Sequence, residues 1–514
     1  MQTRLIVAGL LLASASPLYA TGATFEQQVV AIMTAGGTPE TIQARLDRAG
    51  AGRSLTTDQQ VAMDALRTLV RSKARPKGLS VADAQAFAAR NPSSPASAML
   101  IAEAALANDE PQRSADALIA AASQSGSLVQ LISPATVSKL TSRLDTLSDK
   151  ERTAKLAKVL LDANWSRGSA SLRSYLALAA MREEVAAGRT EAARRFLPVV
   201  RSPRSLQAIL VDNRLAPLRD DVLRLAGPQL RDAWRGYLTA ARDDWSQRGD
   251  AESAIAYVEA LNQAGQYDVI ADSFAARFMR GYNCPSDSVA RSVGSELADA
   301  FAKVGRWSRA EDVMRRMGGV SAPIYASMLL ERGEFGRALS LLDRSLQSAP
   351  QPKTDEDRKA LAWLKATQAC AAYRAGNAAS PFEADLLEFQ ARMTALVCLD
   401  RTDDAQATLL AALASDEDRA DALRWVQPFA DPANQSRFHK EMADRVRALQ
   451  KDSAVVAAAS KVGVILDWPL TASAPKPAEL PAAKPAVAWQ CGDRSPLDMG
   501  APQAPVELHR GEQP

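Results

Sequence analysis

The sequence predicts an all-α protein built from helix–turn–helix units stacked side by side. Three observations carry that expectation. One glycine frame occurs three times: Gly265-Gln266-Tyr267 with Ile270, Phe274 and Arg277; Gly305-Arg306-Trp307 with Ala310, Met314 and Met317; Gly333-Glu334-Phe335 with Ala338, Leu342 and Leu346. Hydrophobic residues make up 47% of the 514, aromatics only 5%, and alanine is abundant, which suits closely packed helices. No stretch alternates apolar and polar residues over more than a few positions, so no strand is expected.

Self-similarity at a spacing of about 20–50 residues signals repeated supersecondary units. The loop Gly281-Tyr282-Asn283-Cys284-Pro285-Ser286 lengthens the first interval, and the Gly318-Gly319 turn shortens the second. Each glycine is expected to end a helix by taking positive φ without a Cβ penalty. The aromatic then opens the next helix, and the residues after it form an apolar stripe of period 3.6. The match continues upstream. Tyr257, Leu297 and Tyr325 stand eight residues before their glycines, Val258, Ala298 and Ala326 seven before, and Leu261, Phe301 and Leu329 four before.

On these residues the stretch 251–350 resembles the tetratricopeptide-repeat family, whose period is about 34 residues. It departs from the family pattern where a tryptophan is usual early in the first helix, at Ala254, Gly294 and Ala322, and the terminal proline appears only as Pro350. The resemblance implies a right-handed α-solenoid whose first helices line an inner surface, and a protein or peptide partner bound there. Counting back from each glycine, the polar residues on that surface are Glu259, Asn262 and Gln263, then Ser295, Asp299 and Lys303, then Ser327 and Glu331; Glu259, Asn262, Gln263, Asp299, Lys303 and Glu331 are the candidates for the partner-binding groove. Ala302 and Leu330 are placed on the same inner face.

Taken in order, residues 1–20 read as a secretory signal peptide. Arg4 gives the positive start, Leu5–Ala13 the apolar core and Leu18-Tyr19-Ala20 the small-residue exit. No later run is long and apolar enough to span a membrane. The address is therefore periplasmic or secreted. Residues 21–230 are expected to form an irregular N-terminal helical array. Its helix starts are Thr38-Pro39-Glu40, the Thr56/Gln59 capping box, Ser133-Pro134 and a Ser148/Glu151 box. Residues 71–78 form a basic linker. Gly188-Arg189-Thr190 with Ala193 and Leu197 repeats the glycine frame without its aromatic. Pro198, Pro203, Pro217 and Pro228 force short helices and mark a joint before the C-terminal array, 231–468. There, Thr354-Asp355-Glu356-Asp357 starts a helix reaching about Gly376. From 469 to 514 a proline/alanine tract is expected to be disordered.

Sixty-two basic residues against 59 acidic ones leave a net charge of +3, a balance that argues against nucleic acid as partner. Four cysteines allow three pairings. Cys370 and Cys398 sit in apolar helical text and are read as buried thiols. Cys284 and Cys491 sit in loop text and are the candidates for a disulfide. Of the two histidines, His439 reads as a surface helix residue and His509 lies in the tail. No metal-binding His-Glu-x-x-His, no Gly-x-Ser-x-Gly elbow and no phosphate loop occurs, so no catalytic, metal or cofactor residues are assigned. The expected function is that of an exported non-catalytic scaffold in an envelope complex, serving assembly or export. The competing expectation is an envelope enzyme whose helical superhelix guides a cell-wall or polysaccharide substrate.

Overall fold

The computed structural model describes residues 24–34, 38–51, 54–73, 78–124, 126–248, 251–276, 288–316, 322–352, 354–432 and 434–476. The signal-peptide assignment, Cys284, Cys491 and residues 74–77 of the expected 71–78 linker lie outside them, and 71–73 of that linker are instead the end of a helix. Among the described residues the chain is all-helical and has no strand; one isolated bridge pairs Asp212 with Gly463. The chain divides into two compact units between Gly168 and Ser169.

The first unit holds α1 (Phe25–Thr34), α2 (Pro39–Gly50), α3 (Thr57–Lys73), α4 (Val81–Arg90), α5 (Pro95–Ala107), α6 (Pro111–Gln124), α7 (Pro134–Thr146) and α8 (Lys150–Asp162). Thr38 caps α2 through the Thr41 N–H, with Pro39 at the first helical position. Thr56 and Gln59 form the expected capping box, each side chain accepting from the other's backbone N–H at 3.2 Å. The Ser148/Glu151 box does not form. Ser148 takes φ 54° to end α7, so the cap moves to Asp149, which accepts from the Arg152 N–H. Between α5 and α6, Ala102, Ala104, Ala105, Ala115, Ala121 and Ala122 are all buried, and Ser114 Oγ donates to the Ala102 carbonyl at 2.8 Å. Small side chains let these two helices pack closely. A small apolar cavity of about 40 Å³ lies among Leu66, Leu69, Met99 and Leu118.

The second unit begins with α9 (Ala170–Ala186) and α10 (Thr190–Arg194). The proline-spotted stretch follows, and its elements are short as expected. These are α11 (Pro203–Val211), α12 (Arg219–Ala226) and the 3₁₀ turns Leu197–Val199, Asn213–Leu218 and Pro228–Leu230. Next come α13 (Arg231–Arg248), α14 (Ala251–Gln263), α15 (Tyr267–Val269), α16 (Ser288–Lys303), α17 (Trp307–Arg316), α18 (Ala322–Glu331) and α19 (Phe335–Ser348). The unit ends with α20 (Asp355–Arg374), α21 (Phe389–Cys398), α22 (Thr402–Ala414), α23 (Arg419–Trp425), α24 (Arg437–Lys451) and α25 (Ser453–Val462).

The three framed glycines build one turn. Gly265, Gly305 and Gly333 have φ of 69°, 78° and 81°. In each, the glycine N–H donates to the carbonyl three residues back (Asn262, Ala302, Leu330), and the next N–H donates five back (Leu261, Phe301, Leu329), all within 2.7–2.9 Å. This pair of bonds satisfies helix-end carbonyls that would otherwise be orphaned. A Cβ on Gly305 or Gly333 would meet nothing within 4 Å, so backbone conformation, not space, demands glycine. The stripes behind the turns are core: Ile270 and Phe274, Ala310 and Met314, Ala338 and Leu342 are all buried. Only the first copy deviates, because Ile270–Phe274 winds as a π-helical turn. The same paired bonds recur at Gly188 and Gly376, and with non-glycine residues at Asp109, Ser148, Asn164 and Asp400.

Two expectations are corrected. Cys370 and Cys398 are joined in a disulfide, with Cα atoms 5.7 Å apart. The pattern predicts buried thiols, and both residues are buried, but α20 and α21 pack so that the two side chains meet over Leu342 and Phe438. Residues 469–476, assigned to a disordered tail, are docked. Trp234 Nε1 donates to the Leu470 carbonyl at 2.7 Å, Ser473 Oγ donates to the Gln229 carbonyl, and Lys476 lies 3.4 Å from Asp268. Just upstream, the Val464 N–H donates to Val211 O at 2.8 Å, and Val211 sits in one core with Phe389, Leu409, Leu423 and Val455. Helices from both ends of the second unit thus share a core, and α11 packs on α23.

Candidate functional site

Helices α14 and α16 pack together and each sets a polar stripe beside the other. Glu259, Asn262 and Gln263 come from α14; Glu296, Asp299 and Lys303 come from α16, at spacings of three and four that keep them on one face. All six are half-buried. The Asn262 amide donates to the Glu296 carboxylate. Lys303 Nζ stands 2.7 Å from Asp299 Oδ2, 3.4 Å from the Tyr267 hydroxyl and 4.4 Å above the Tyr267 ring.

Glu259 has no hydrogen-bond or ion-pair partner among the described residues. Burial, helped by the neighbouring Glu296 charge, pushes its carboxyl up to about 7. Burial also raises Glu296, although the Asn262 hydrogen bond opposes it. Burial works against the Lys303 charge, but Asp299 and Tyr267 outweigh it and hold the ammonium above its ordinary range. Gln263 Oε1 is fully buried and accepts from nothing among the described residues.

On α18, Glu331 accepts from Ser436 Oγ at 3.2 Å and lies 3.5 Å from His439 Nδ1 of α24. That contact raises the His439 pKa and favours imidazolium; Lys303 is close enough to push the other way. Facing these stripes, Arg204 of α11 is within electrostatic reach of Tyr237, Tyr267 and Glu296. Tyr237 in turn shares a 2.7 Å hydrogen bond with Ser171 and feels Glu259. Arg204 keeps contact with solvent, yet the protein around it and the nearby Arg424 lower its pKa.

The structure therefore brings Glu259, Asn262, Asp299 and Lys303 together and links Glu331 to them through His439. Gln263 turns its oxygen inward. Ala302 and Leu330, placed on the same face by counting from the glycine, are core residues at 6% and 4% exposure. Glu296, Arg204, Tyr237 and His439 were missed. Glu296 shares helical spacing with Asp299 and Lys303, which would have found it. His439, read as a surface residue, is half-buried against Glu331, a partner distant in sequence. Among the described residues no group of three His, Cys, Asp or Glu side chains is arranged to hold a metal ion, and no helix is long and apolar enough to cross a membrane. Comparison with protein-family models, with curated proteins and with solved structures finds no match for this chain.

Proposed function

We propose that the protein is an exported, non-catalytic scaffold that grips a protein or peptide partner. The second unit acts as a right-handed, tetratricopeptide-like solenoid, and the partner lies along the polar face of α14, α16 and α18. The observation that carries this reading is the state of that face. It offers a carboxyl without a partner (Glu259), a buried amide oxygen without a donor (Gln263), and an ammonium held over an aromatic ring (Lys303). Buried polar groups are normally satisfied, and a bound chain would supply what these lack. The recurring turn supports the solenoid. The Cys370–Cys398 disulfide and the signal-like first 20 residues support export to an oxidising compartment. An envelope assembly or export complex fits this address.

A random-peptide display selection on the chain lacking residues 1–20 tests the reading. Enriched peptides should carry charged residues, and E259Q with N262A should abolish their binding. Enrichment that ignores both substitutions, or no enrichment at all, counts against it. One observation favours the competing enzyme reading: the Glu259 carboxyl is poised near neutrality beside a second carboxylate, as acid–base groups often are. Turnover of purified cell-wall or polysaccharide substrate that disappears in E259Q would establish that reading instead.

A further inference from the structure

We propose that Arg337 and Arg344, with the Tyr325 hydroxyl, form a binding site for a carboxylate side chain of an acidic peptide. A cavity of about 250 Å³ opens between α18 and α19, and all three side chains line it. The site is separate from the polar face of α14, α16 and α18. At about 100° per residue, Leu329 stands about 160° round α18 from Glu331, and Tyr325 about 120°. The cavity, lined by Tyr325 and Leu329, therefore opens away from that face.

The period of α19 brings its cations to one wall. Arg337 and Arg344 are seven residues apart, two helical turns, with Ser340 between them on the same side. The charges there do not balance. Arg332 pairs with Glu311 at 2.7 Å and with Glu334 at 2.6 Å. Arg337 pairs with the same two acids, at 3.9 Å from Glu311. Arg344 adds a third guanidinium, which has no hydrogen-bond or ion-pair partner among the described residues. The five groups thus carry one positive charge in excess. If Arg337 turns toward a ligand, both acids still keep Arg332, so recruiting it strands neither. A carboxylate brings the single negative charge required, and its two oxygens fit guanidinium forks. A dianion would overshoot and meet Glu311 and Glu334.

The remaining groups fit a peptide better than a free anion. Arg337 Nη2 donates to the Tyr325 hydroxyl oxygen at 3.4 Å, which leaves the hydroxyl hydrogen for a carboxylate oxygen. Ser340 Oγ donates to the Gly336 carbonyl at 2.9 Å, so toward the cavity it can only accept, as from a backbone N–H. Buried Leu329 and Leu341 supply an apolar floor for a neighbouring side chain. Pockets that enclose a whole small molecule run from about 300 to 1,000 Å³. This smaller space suits one or two side chains of a longer chain.

Calorimetric titration of the protein purified from cells tests the site. The probes are acetyl-Leu-Glu-Leu-amide, its glutamine counterpart and inorganic phosphate. The glutamate peptide should bind about tenfold or more tighter than the glutamine peptide, the effect of one charge-assisted hydrogen bond. R344Q should erase that preference. Gly336→Leu should block both peptides without harming the fold. A Cβ there meets nothing within 4 Å, and leucine favours a helix over glycine, so it should melt no lower than wild type. Because Arg344 has no partner among the described residues, R344Q decides the matter even where Gly336→Leu folds poorly. No binding of the glutamate peptide at millimolar concentration overturns the proposal. So does equal binding of the two peptides, a preference that survives R344Q, or phosphate binding tighter than the glutamate peptide. Binding that E259Q with N262A abolishes belongs to the polar face and overturns this site while leaving that reading intact.

Discussion

The two units use the same helix-ending turn but treat their polar groups differently. Both units pair arginines with carboxylates; in the first, Arg67 reaches Asp47 and Asp64 at 2.9 and 2.8 Å, and Arg152 reaches Asp116 and Asp149 at 3.0 and 2.7 Å. Among its described residues only Gln43 has a buried side-chain oxygen or nitrogen without a partner. The second unit leaves Arg173, Arg182 and Gln263 in that state, besides Glu259. It also carries the disulfide and the docked 463–476 segment. Each unmet polar group costs about 1–3 kcal/mol, and the disulfide and the docked segment act against that cost in the second unit. Unsatisfied chemistry concentrated in one unit is where a ligand has most to gain.

Breaking the ties should expose that difference. The largest effect is expected from the disulfide. Its loop spans 28 residues of sequence separation, and releasing it costs about 3–4 kcal/mol in chain entropy. In scanning calorimetry, C370S with C398S should lower the second unit's transition by several degrees and leave the first unit's in place. Next is Gly463. A Cβ there would collide with Val211 O and the Leu423 side chain. Gly463→Val should cost about 1–3 kcal/mol, as overpacking does, and speed hydrogen exchange of the Val464 amide that donates to Val211.

A mirrored pair sharpens the comparison of turns. Gly333→Ala puts a Cβ at φ 81° and should destabilise by about 1 kcal/mol. Asp109→Gly relaxes the same conformation in the first unit but loses the 3.2 Å contact with Arg143. Its net effect should stay within about 0.5 kcal/mol, read from chemical-denaturation midpoints, since aspartate tolerates this region.

The smallest effect is pH-dependent. Glu259 keeps its proton up to about pH 7 when folded, against 4.5 for an unperturbed glutamate. The folded state therefore binds more protons between these values, and stability falls as pH rises through that window, staying low above it. E259Q should raise the melting temperature at pH 8 and leave it unchanged at pH 4. Equal shifts at both pH values would contradict the assignment. His439 moves stability in the same direction for a different reason: Glu331 favours its charged form, so its contribution is present at low pH and lost as pH rises through its raised pKa.

The sequence showed the helical class, the three glycine turns and most of the core, because these rest on local patterns. Gly265, Gly305 and Gly333 declare themselves by lacking a side chain; Asp109, Ser148, Asn164 and Asp400 make the same turn without that signal. Half of the polar cluster was also local: Glu259, Asn262, Asp299 and Lys303 follow from counting along two helices. Arg204, Tyr237 and His439 did not follow, since they arrive from helices far along the chain. The cysteine pairing failed for the same reason. Buried surroundings describe both a thiol and a disulfide, and only the packing of α20 on α21 chooses.

Photo-crosslinking tests the central claim most directly. A photoreactive residue is placed at Asn262 or Asp299 of the second unit, and separately at Asp109 of the first, in cells producing the protein. The account predicts one reproducible crosslinked protein from 262 and 299, weakened by E259Q, and none from 109. Equal crosslinking from all three positions, or none from 262 and 299, would contradict it.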